Sequence, residues 1–481
     1  MNAPNSAFVG AFRPHVAVVL GGGLAGMLAA AVLSEYAEVF VVERDRLPAA
    51  PSCRKGLPQA HHAHTLWSGG ARVIDELLPG TLQQWLQEGA RRISLPSGIV
   101  SLTPRGWLRR WPESQYLIAC SRDLLDWVVR RQVLDLPGVH LLEGTEAVGL
   151  LGTAEHITGV TVRDMFTDHR RRLDADLVVD ASGARSAAPR WLSGLGLPAV
   201  REEVLDTGLA CASRLYRAPA GSEDSPIVSV RSDFRGALPG QNATLVPIEH
   251  GQWLVTLSGT RGGHPTKDPD RFEAFARQLR HPLVGELISS AEPLTDVRIT
   301  HGTANRRRHF ERMDAWPTGF TVLGDAVATC NPLYAQGMSV AARQVAALSC
   351  VLRKHSLDDP SVAEKVQRGV GRALGGPWSM ATGRDACAEA TGTRPPASAR
   401  LRRGLTDRVL WAATGRPAVS RALFDVLSLS APLTRLMRPA VVAGVVLGPG
   451  RPPLASAPLS GVESRSDGQR PAAPLTPAEQ N

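Results

Sequence analysis

The chain has 481 residues, 43% of them hydrophobic and 21% charged, enough for a large core and two intimately joined domains. Its net charge is +9, but the arginines are dispersed and no basic tract alternates with aromatics, so no nucleic-acid partner is expected. Six cysteines lie without CxxC or zinc-like spacing, which reads as reduced thiols in a cytoplasmic protein.

The first predicted element is a strand at Val16 to Leu20, a continuous apolar run suited to a parallel strand buried on both faces. Gly21, Gly23 and Gly26 follow as G-x-G-x-x-G, and Leu24 and Ala25 open an Ala/Leu-rich helix running to about Tyr36. A second strand, Val39 to Val42, ends in Glu43, 17 residues beyond Gly26. Gly21 permits the tight strand-to-helix turn, Gly23 close approach of backbone to a pyrophosphate, and Gly26 close packing of helix on sheet. The helix N-terminus presents free N–H groups and partial positive charge to the phosphates. Glu43 is placed to accept hydrogen bonds from an adenosine ribose. Three glycines within six positions argue against a membrane span, and Arg13-Pro14 with no clear cleavage pattern against a signal peptide. This stretch alone specifies an adenine dinucleotide, either NAD or FAD.

Next comes a polar loop, Arg54 to His64, containing Lys55, Gln59, His61, His62 and His64 and leading into a helix over Thr65 to Leu78. The histidines lack a nearby carboxylate or cysteine to complete a ligand set, so no metal is expected and the loop reads as lining a cofactor or substrate site. Ile93 to Trp111 reads as strands of a second, antiparallel layer. Ser121 is a plausible N-cap of a helix whose first turn holds Arg122, within reach of a phosphate. Val139 to Leu142 and Thr145 to Val148 return the chain to the first sheet. Ile157 to Arg163 and Leu173-Asp174 suggest a meander, and Asp176 to Gly183 reads as a second buried strand ending in an acid and a glycine turn, Asp180-Ala181-Ser182-Gly183.

Residues 204–260 are rich in strand patterns separated by Pro/Gly loops, which predicts an antiparallel sheet forming a substrate wall. Asp268 to Ser290 is a helical interval. The chain then returns at Gly319 to Ala326, a buried strand ending in Gly324-Asp325, and Asn331 to Ser339, with Pro332 to Met338 inside it, leads into a long helix over Val340 to Arg353. Asp325 suits a polyol such as ribityl, and Gly337 the approach of a flat ring, with the helix's positive end above it. Leu357 to Leu447 is helical, and Ala440 to Leu447 is too short to span a bilayer, so no stable membrane insertion is expected.

The combination of G-x-G-x-x-G with Glu43-Arg44, Asp180-Ala-Ser-Gly183, and Gly324-Asp325 with Pro332 and Gly337 resembles the FAD-dependent monooxygenases of the aromatic-hydroxylase and squalene-epoxidase fold. The loop Arg54 to His64, with Gly70-Ala71-Arg72, Leu78-Pro79-Gly80, Ala119 to Arg122 and Ala304 to Arg307, is similar to bacterial epoxidases of polyether ionophore biosynthesis, of the monensin and lasalocid type. The implied fold class is α/β: a Rossmann-type FAD-binding domain (12–90, 119–200 and 301–355), an inserted antiparallel-sheet substrate domain (91–118 and 201–300), a C-terminal helical region (356–447) and a disordered tail (448–481). The resemblance implies that Gly21, Gly23, Leu24, Ala25, Gly26, Glu43, Arg44, Arg122, Val148, Asp325, Pro332, Gly337 and Met338 bind FAD. Lys55, Gln59, His62 and His64 would form a loop beside the substrate or flavin.

The implied reaction is epoxidation of double bonds in a linear polyketide polyene, free or carrier-bound, through a flavin C4a-hydroperoxide. Molecular oxygen is the oxidant, and NAD(P)H-derived electrons arrive directly or through a separate flavin reductase. No protein side chain is then needed as a catalytic nucleophile; the protein binds flavin, orients the alkene and excludes water. Hydroxylation of an aromatic or polycyclic polyketide, and reduction of isoprenoid double bonds, are the alternatives. Asp180-Ala-Ser-Gly183 departs from the Asp-Gly of many aromatic hydroxylases, and Trp107 to Pro112 lacks the Trp-x-Trp-x-Ile-Pro pattern of flavin halogenases.

Overall fold

A computed structural model describes residues 15–233, 240–301, 304–385, 397–460 and 463. Strand β1 (Val16–Leu20), helix α1 (Leu24–Leu33) and strand β2 (Glu38–Val42) form the expected βαβ unit. Helix α2 (Arg122–Leu134) leads to β3 (Val139–Leu142), and β4 (Leu177–Asp180) and β5 (Phe320–Val322) complete a five-stranded sheet. Its order is β5-β4-β1-β2-β3, and every pair is parallel. Ala17, Val18 and Val19 are all fully buried, so both faces of β1 are covered, as a crossover-built parallel sheet requires. Helix α1 is buried along nearly its whole length, against α2 and against α3 (Gly337–Leu352).

The second layer is an eight-stranded sheet contributed by 99–107 and 210–301. It is not wholly antiparallel: Ile227–Val230 runs parallel to Ile99–Thr103, with Val228 beside Val100. The parallel pair arises because these strands come from chain segments far apart, with no hairpin turn to set their direction. Pro269–Arg277 and Leu283–Ile288 pack on this sheet around Phe272, Trp253 and Val284. A small sheet of Thr65–Trp67, Gln115–Ala119 and Arg91–Leu95 joins the two layers. The predicted helix therefore begins later, at Ser68, because Thr65–Trp67 is captured as a strand by Gln115–Ala119.

The C-terminal region is helical as expected, at Val362–Asp385, Ala397–Ala413, Pro417–Leu427 and Pro439–Leu447. The tail expected to be disordered differs in its described part. Residues 449–460 lack helix and strand, yet Leu454 and Leu459 pack on the Phe272 core and the Pro452 carbonyl accepts from Arg109 at 2.7 Å. Arg110 holds Glu463 at 2.9 Å. Apolar side chains and two arginines fasten a segment whose composition alone reads as loose. Residues 461–462 and 464–481 lie outside the described residues.

Candidate functional site

The carboxyl ends of β1, β2, β4 and β5 lie along one edge of the parallel sheet, the edge at which such sheets place ligands. Gly21 turns there with φ +101°, and a Cβ on it would lie 2.7 Å from the Ala181 carbonyl oxygen at the end of β4. At Gly26 a Cβ would overlap the Gly21 carbonyl oxygen, so this glycine lets helix meet turn. At Gly23 the only neighbour within 4 Å is an Arg54 Nη2 at 3.5 Å. Helix α1 has no side-chain cap and no acid in its first turn, which leaves its leading N–H groups and partial positive charge for a ligand. Leu24 is buried in the core and Ala25 is partly exposed beside the turn.

Glu43 sits at the end of β2, but its carboxylate is already engaged. Gly22 N–H donates to Oε2 at 2.8 Å, Asp45 N–H donates to Oε1 at 2.9 Å, and Arg54 Nη1 lies 3.5 Å away. Lone pairs are left over for a ribose hydroxyl, and the carboxylate also braces the glycine turn. Arg44 instead points outward, half exposed and 3.9 Å from Asp45. Val148 is half-buried in Thr145–Gly152, a strand that starts where Thr145 N–H donates to the Glu43 carbonyl.

Arg54 is the residue that motif reasoning passed over. It is 10% exposed, donates to the Gly22 carbonyl at 3.3 Å and bridges Glu43 to Asp126, 4.0 Å from Nη2. Asp126 also receives Arg122 Nε at 2.9 Å, an i,i+4 pair on α2. A guanidinium one residue before the expected Lys55, which is exposed, was the signal available in the sequence. The expected Ser121 cap is present: its side chain accepts from Leu124 N–H at 3.1 Å.

Asp325 lies just after β5, open to solvent yet flanked by protein as a cleft wall is. That enclosure raises its carboxyl above the ordinary carboxylate range, opposed by the Arg122 charge. Pro332–Tyr334 forms a short turn that ends on Ala335 with φ +51°, a left-handed conformation a non-glycine residue adopts at a cost. Arg231 and Trp67 clamp this turn by donating to the Leu333 and Tyr334 carbonyls at 3.0 and 3.3 Å. Helix α3 then starts, again with no side-chain cap and no acid in its first turn. Nothing lies within 4 Å of a Cβ built on Gly337, which leaves room for a ring, while Met338 turns into the core.

The loop before Thr65 lies against the second sheet. His62 Nδ1 and Ser213 Oγ are 2.8 Å apart, Ser213 Oγ and Thr256 Oγ1 2.6 Å, and Ala63 N–H donates to Thr256 Oγ1 at 2.7 Å. Burial holds the His62 imidazole down at about 4, helped by His61. Burial with the Arg122 charge holds His64 at about 3. Both rings are neutral at pH 7, and His62 Nε2 has no hydrogen-bond partner. Gln59 is half-buried beside them. Cys53 donates its thiol to Asp123 at 3.0 Å, and desolvation with that carboxylate pushes it up to about 12, so it is no nucleophile. Among the described residues no cluster of three or more His, Cys, Asp or Glu side chains has metal-binding geometry.

Asp180, fully buried, is absorbed structurally: Ser182 and Ser186 hydroxyls each donate to it at 2.6 Å and lock the turn against Gly21. A cavity of about 820 Å³ lies elsewhere, lined by Arg307, His309, Glu311 and Trp378. None of the dinucleotide elements lines it, and Arg307 there is paired with Glu311 at 2.6 Å. The elements at the cleft fit an extended FAD. One uncapped helix N-terminus and glycine turn suit the pyrophosphate, and Asp325, Gly337 and a second uncapped helix suit the ribityl and ring.

A family model described as an FAD binding domain matches residues 14–357. The chain is 29% identical over 437 residues to Protein Rv3254 of Mycobacterium tuberculosis, covering 88% of this chain and 90% of that one. It is 26% identical over 364 residues to kynurenine 3-monooxygenase of Salinispora tropica, covering 71% and 74%. Among solved structures, PqsL of Pseudomonas aeruginosa, described as a probable FAD-dependent monooxygenase, superposes with a TM-score of 0.59 at 18% identity. That match covers 82% of this chain and 99% of PqsL.

Proposed function

The chain belongs to that family of FAD-binding proteins, with the fold of the aromatic-hydroxylase-type monooxygenases, and from this premise we propose that it epoxidises double bonds of a linear polyketide polyene in polyether antibiotic biosynthesis. The overall change is alkene, dioxygen, NAD(P)H and a proton giving epoxide, water and NAD(P)⁺. Bound FAD would supply the oxygen transfer, with electrons delivered directly or through a separate reductase. The protein's part is to hold the dinucleotide through Gly21 to Gly26, Glu43, Arg54, Arg122, Asp325 and Gly337, and to orient the alkene against the second sheet.

The observation that carries this reading is the packing of the His62 to His64 loop on the second sheet, where His62 Nδ1 is engaged by Ser213 Oγ at 2.8 Å and His64 Nδ1 by the His62 carbonyl at 2.8 Å. Imidazoles held at about 4 and about 3 are poor proton acceptors at pH 7. Hydroxylation of a phenol gains from a base that takes the ring hydroxyl's proton, whereas epoxidation of an alkene removes no proton from the substrate. Hydroxylation of an aromatic ring is the second reading, favoured by the likeness to kynurenine 3-monooxygenase. The test is a side-by-side assay of a linear polyene and a phenolic polyketide under isotopically labelled dioxygen, with reduced flavin supplied. One labelled oxygen per epoxide in the polyene is expected. Label in the phenol alone would establish the second reading, and label in neither, with flavin retained, would overturn both.

A further inference from the structure

Ten large hydrophobic side chains are exposed among the described residues, and seven of them fall between Leu401 and Leu447. Met437, Leu447 and Val446 are 73%, 69% and 64% exposed. The helix Pro439–Leu447 carries no charge, and only Val441 and Gly444 on it are buried. It rests on Ala397–Ala413, where Arg408 Nε donates to the Val445 carbonyl at 3.0 Å. Isolated exposed apolar residues need no explanation, but a concentration of them on neighbouring elements marks an interaction surface.

The charge is concentrated in the same place. Residues 397–451 contain nine arginines, no lysine, no glutamate and only two aspartates, a local balance of +7 within a chain of +9. Both aspartates are taken up: Asp407 by Arg105 at 3.1 Å and Asp425 by Arg435 at 2.9 Å.

We propose that this face docks on an anionic lipid bilayer. An uncharged Val/Leu/Met surface edged with arginines can sink its apolar side chains below the headgroups. The exposed guanidinium groups, those of Arg421 and Arg438 among them, stay at headgroup level, against lipid phosphates. No described helix is long and apolar enough to cross a membrane, so the contact lies on the surface. A second copy of the chain fits the patch poorly, because a two-fold contact would set one arginine-rich face against another. The patch also connects to the cleft: Gln336, just before α3, donates to the Leu427 carbonyl at 2.8 Å, and Gly69 N–H donates to the Ser428 carbonyl at 3.1 Å. Docking there would bring the cleft near a phase in which an elongated apolar substrate dissolves.

The full-length, FAD-loaded protein is co-sedimented with vesicles of phosphatidylcholine alone and of phosphatidylcholine with about one third phosphatidylglycerol. Binding at least about tenfold tighter to the anionic vesicles is expected, weakening as salt is raised. Met437→Asp combined with Val446→Asp should lower that binding by more than about tenfold with flavin content unchanged, and Arg438→Glu should lower it without touching the apolar centre. Phe166→Asp, at an exposed apolar residue outside this face, should bind like the parent. Failure of the parent to sediment with either vesicle overturns the proposal. So does equal binding by the double variant, or a concentration-dependent dimer that the double variant dissolves.

Discussion

Gly23 and Gly26 stand one helical turn apart, and an added side chain meets different surroundings at each. At Gly23 the only neighbour is the Arg54 guanidinium, 3.5 Å from the added Cβ, so Gly23→Val should fold, shift the melting temperature less than Gly26→Ala does, and lose flavin. At Gly26 the neighbour is the Gly21 carbonyl, so Gly26→Ala should cost about 2 kcal/mol of stability as well as flavin. Thermal melts beside flavin absorbance separate the two, and a Gly23→Val protein that stays yellow would show that the turn does not contact the cofactor. Arg54→Ala leaves two mostly buried carboxylates, Glu43 and Asp126, without their shared cation. A loss of about 2 kcal/mol in urea unfolding is expected, together with weaker FAD binding. The histidines give a pH prediction. Their folded pKa values lie below the ordinary 6.5, so the unfolded chain binds more protons and stability rises with pH. The stability they contribute is fully present above about pH 6.5 and is lost as pH falls through about 4. His62→Gln should flatten that acid limb of the urea midpoints, and an unchanged limb would refute it.

At the scale of elements, the strand–helix–strand start was legible because its signals are local: β-branched runs, glycine spacing and an acidic strand end. The later return at Gly324-Asp325 was legible for the same reason. The strand at Thr65–Trp67 was not, since it exists only through pairing with Gln115–Ala119 about fifty residues away. The role of Arg54 was hidden likewise, because its partners Glu43, Gly22 and Asp126 come from three different elements. Glu43 itself was legible in position but not in occupancy, being already engaged by two backbone N–H groups. The loop from Arg54 to His64 is tied to the second sheet at Ser213, through His62, and at Thr256, which accepts from Ala63 N–H. Thr256→Val should therefore cost about 1–2 kcal/mol and speed flavin release. Stopped-flow fluorescence of released flavin measures this, and an unchanged rate would show that the loop does not gate the cleft.

Over the whole molecule, the proposed dinucleotide site is divided. One half precedes the sheet's 210–301 strands in the chain and the other follows them, so those strands are threaded between β4 and β5. That topology explains why the first unit alone leaves NAD and FAD equally acceptable, and why Asp325 and Gly337 matter to the choice. The most direct test is an FAD titration of the apoprotein, followed by fluorescence, for the parent, Gly23→Val and Asp325→Ala. Asp325 is solvent-exposed at the cleft, so its replacement should leave the fold intact. Damage to either half is predicted to weaken FAD binding by at least about 100-fold, or about 2.7 kcal/mol, while the apoprotein stays folded. Parent-like FAD affinity in Asp325→Ala would contradict the divided site and confine the dinucleotide to the first unit.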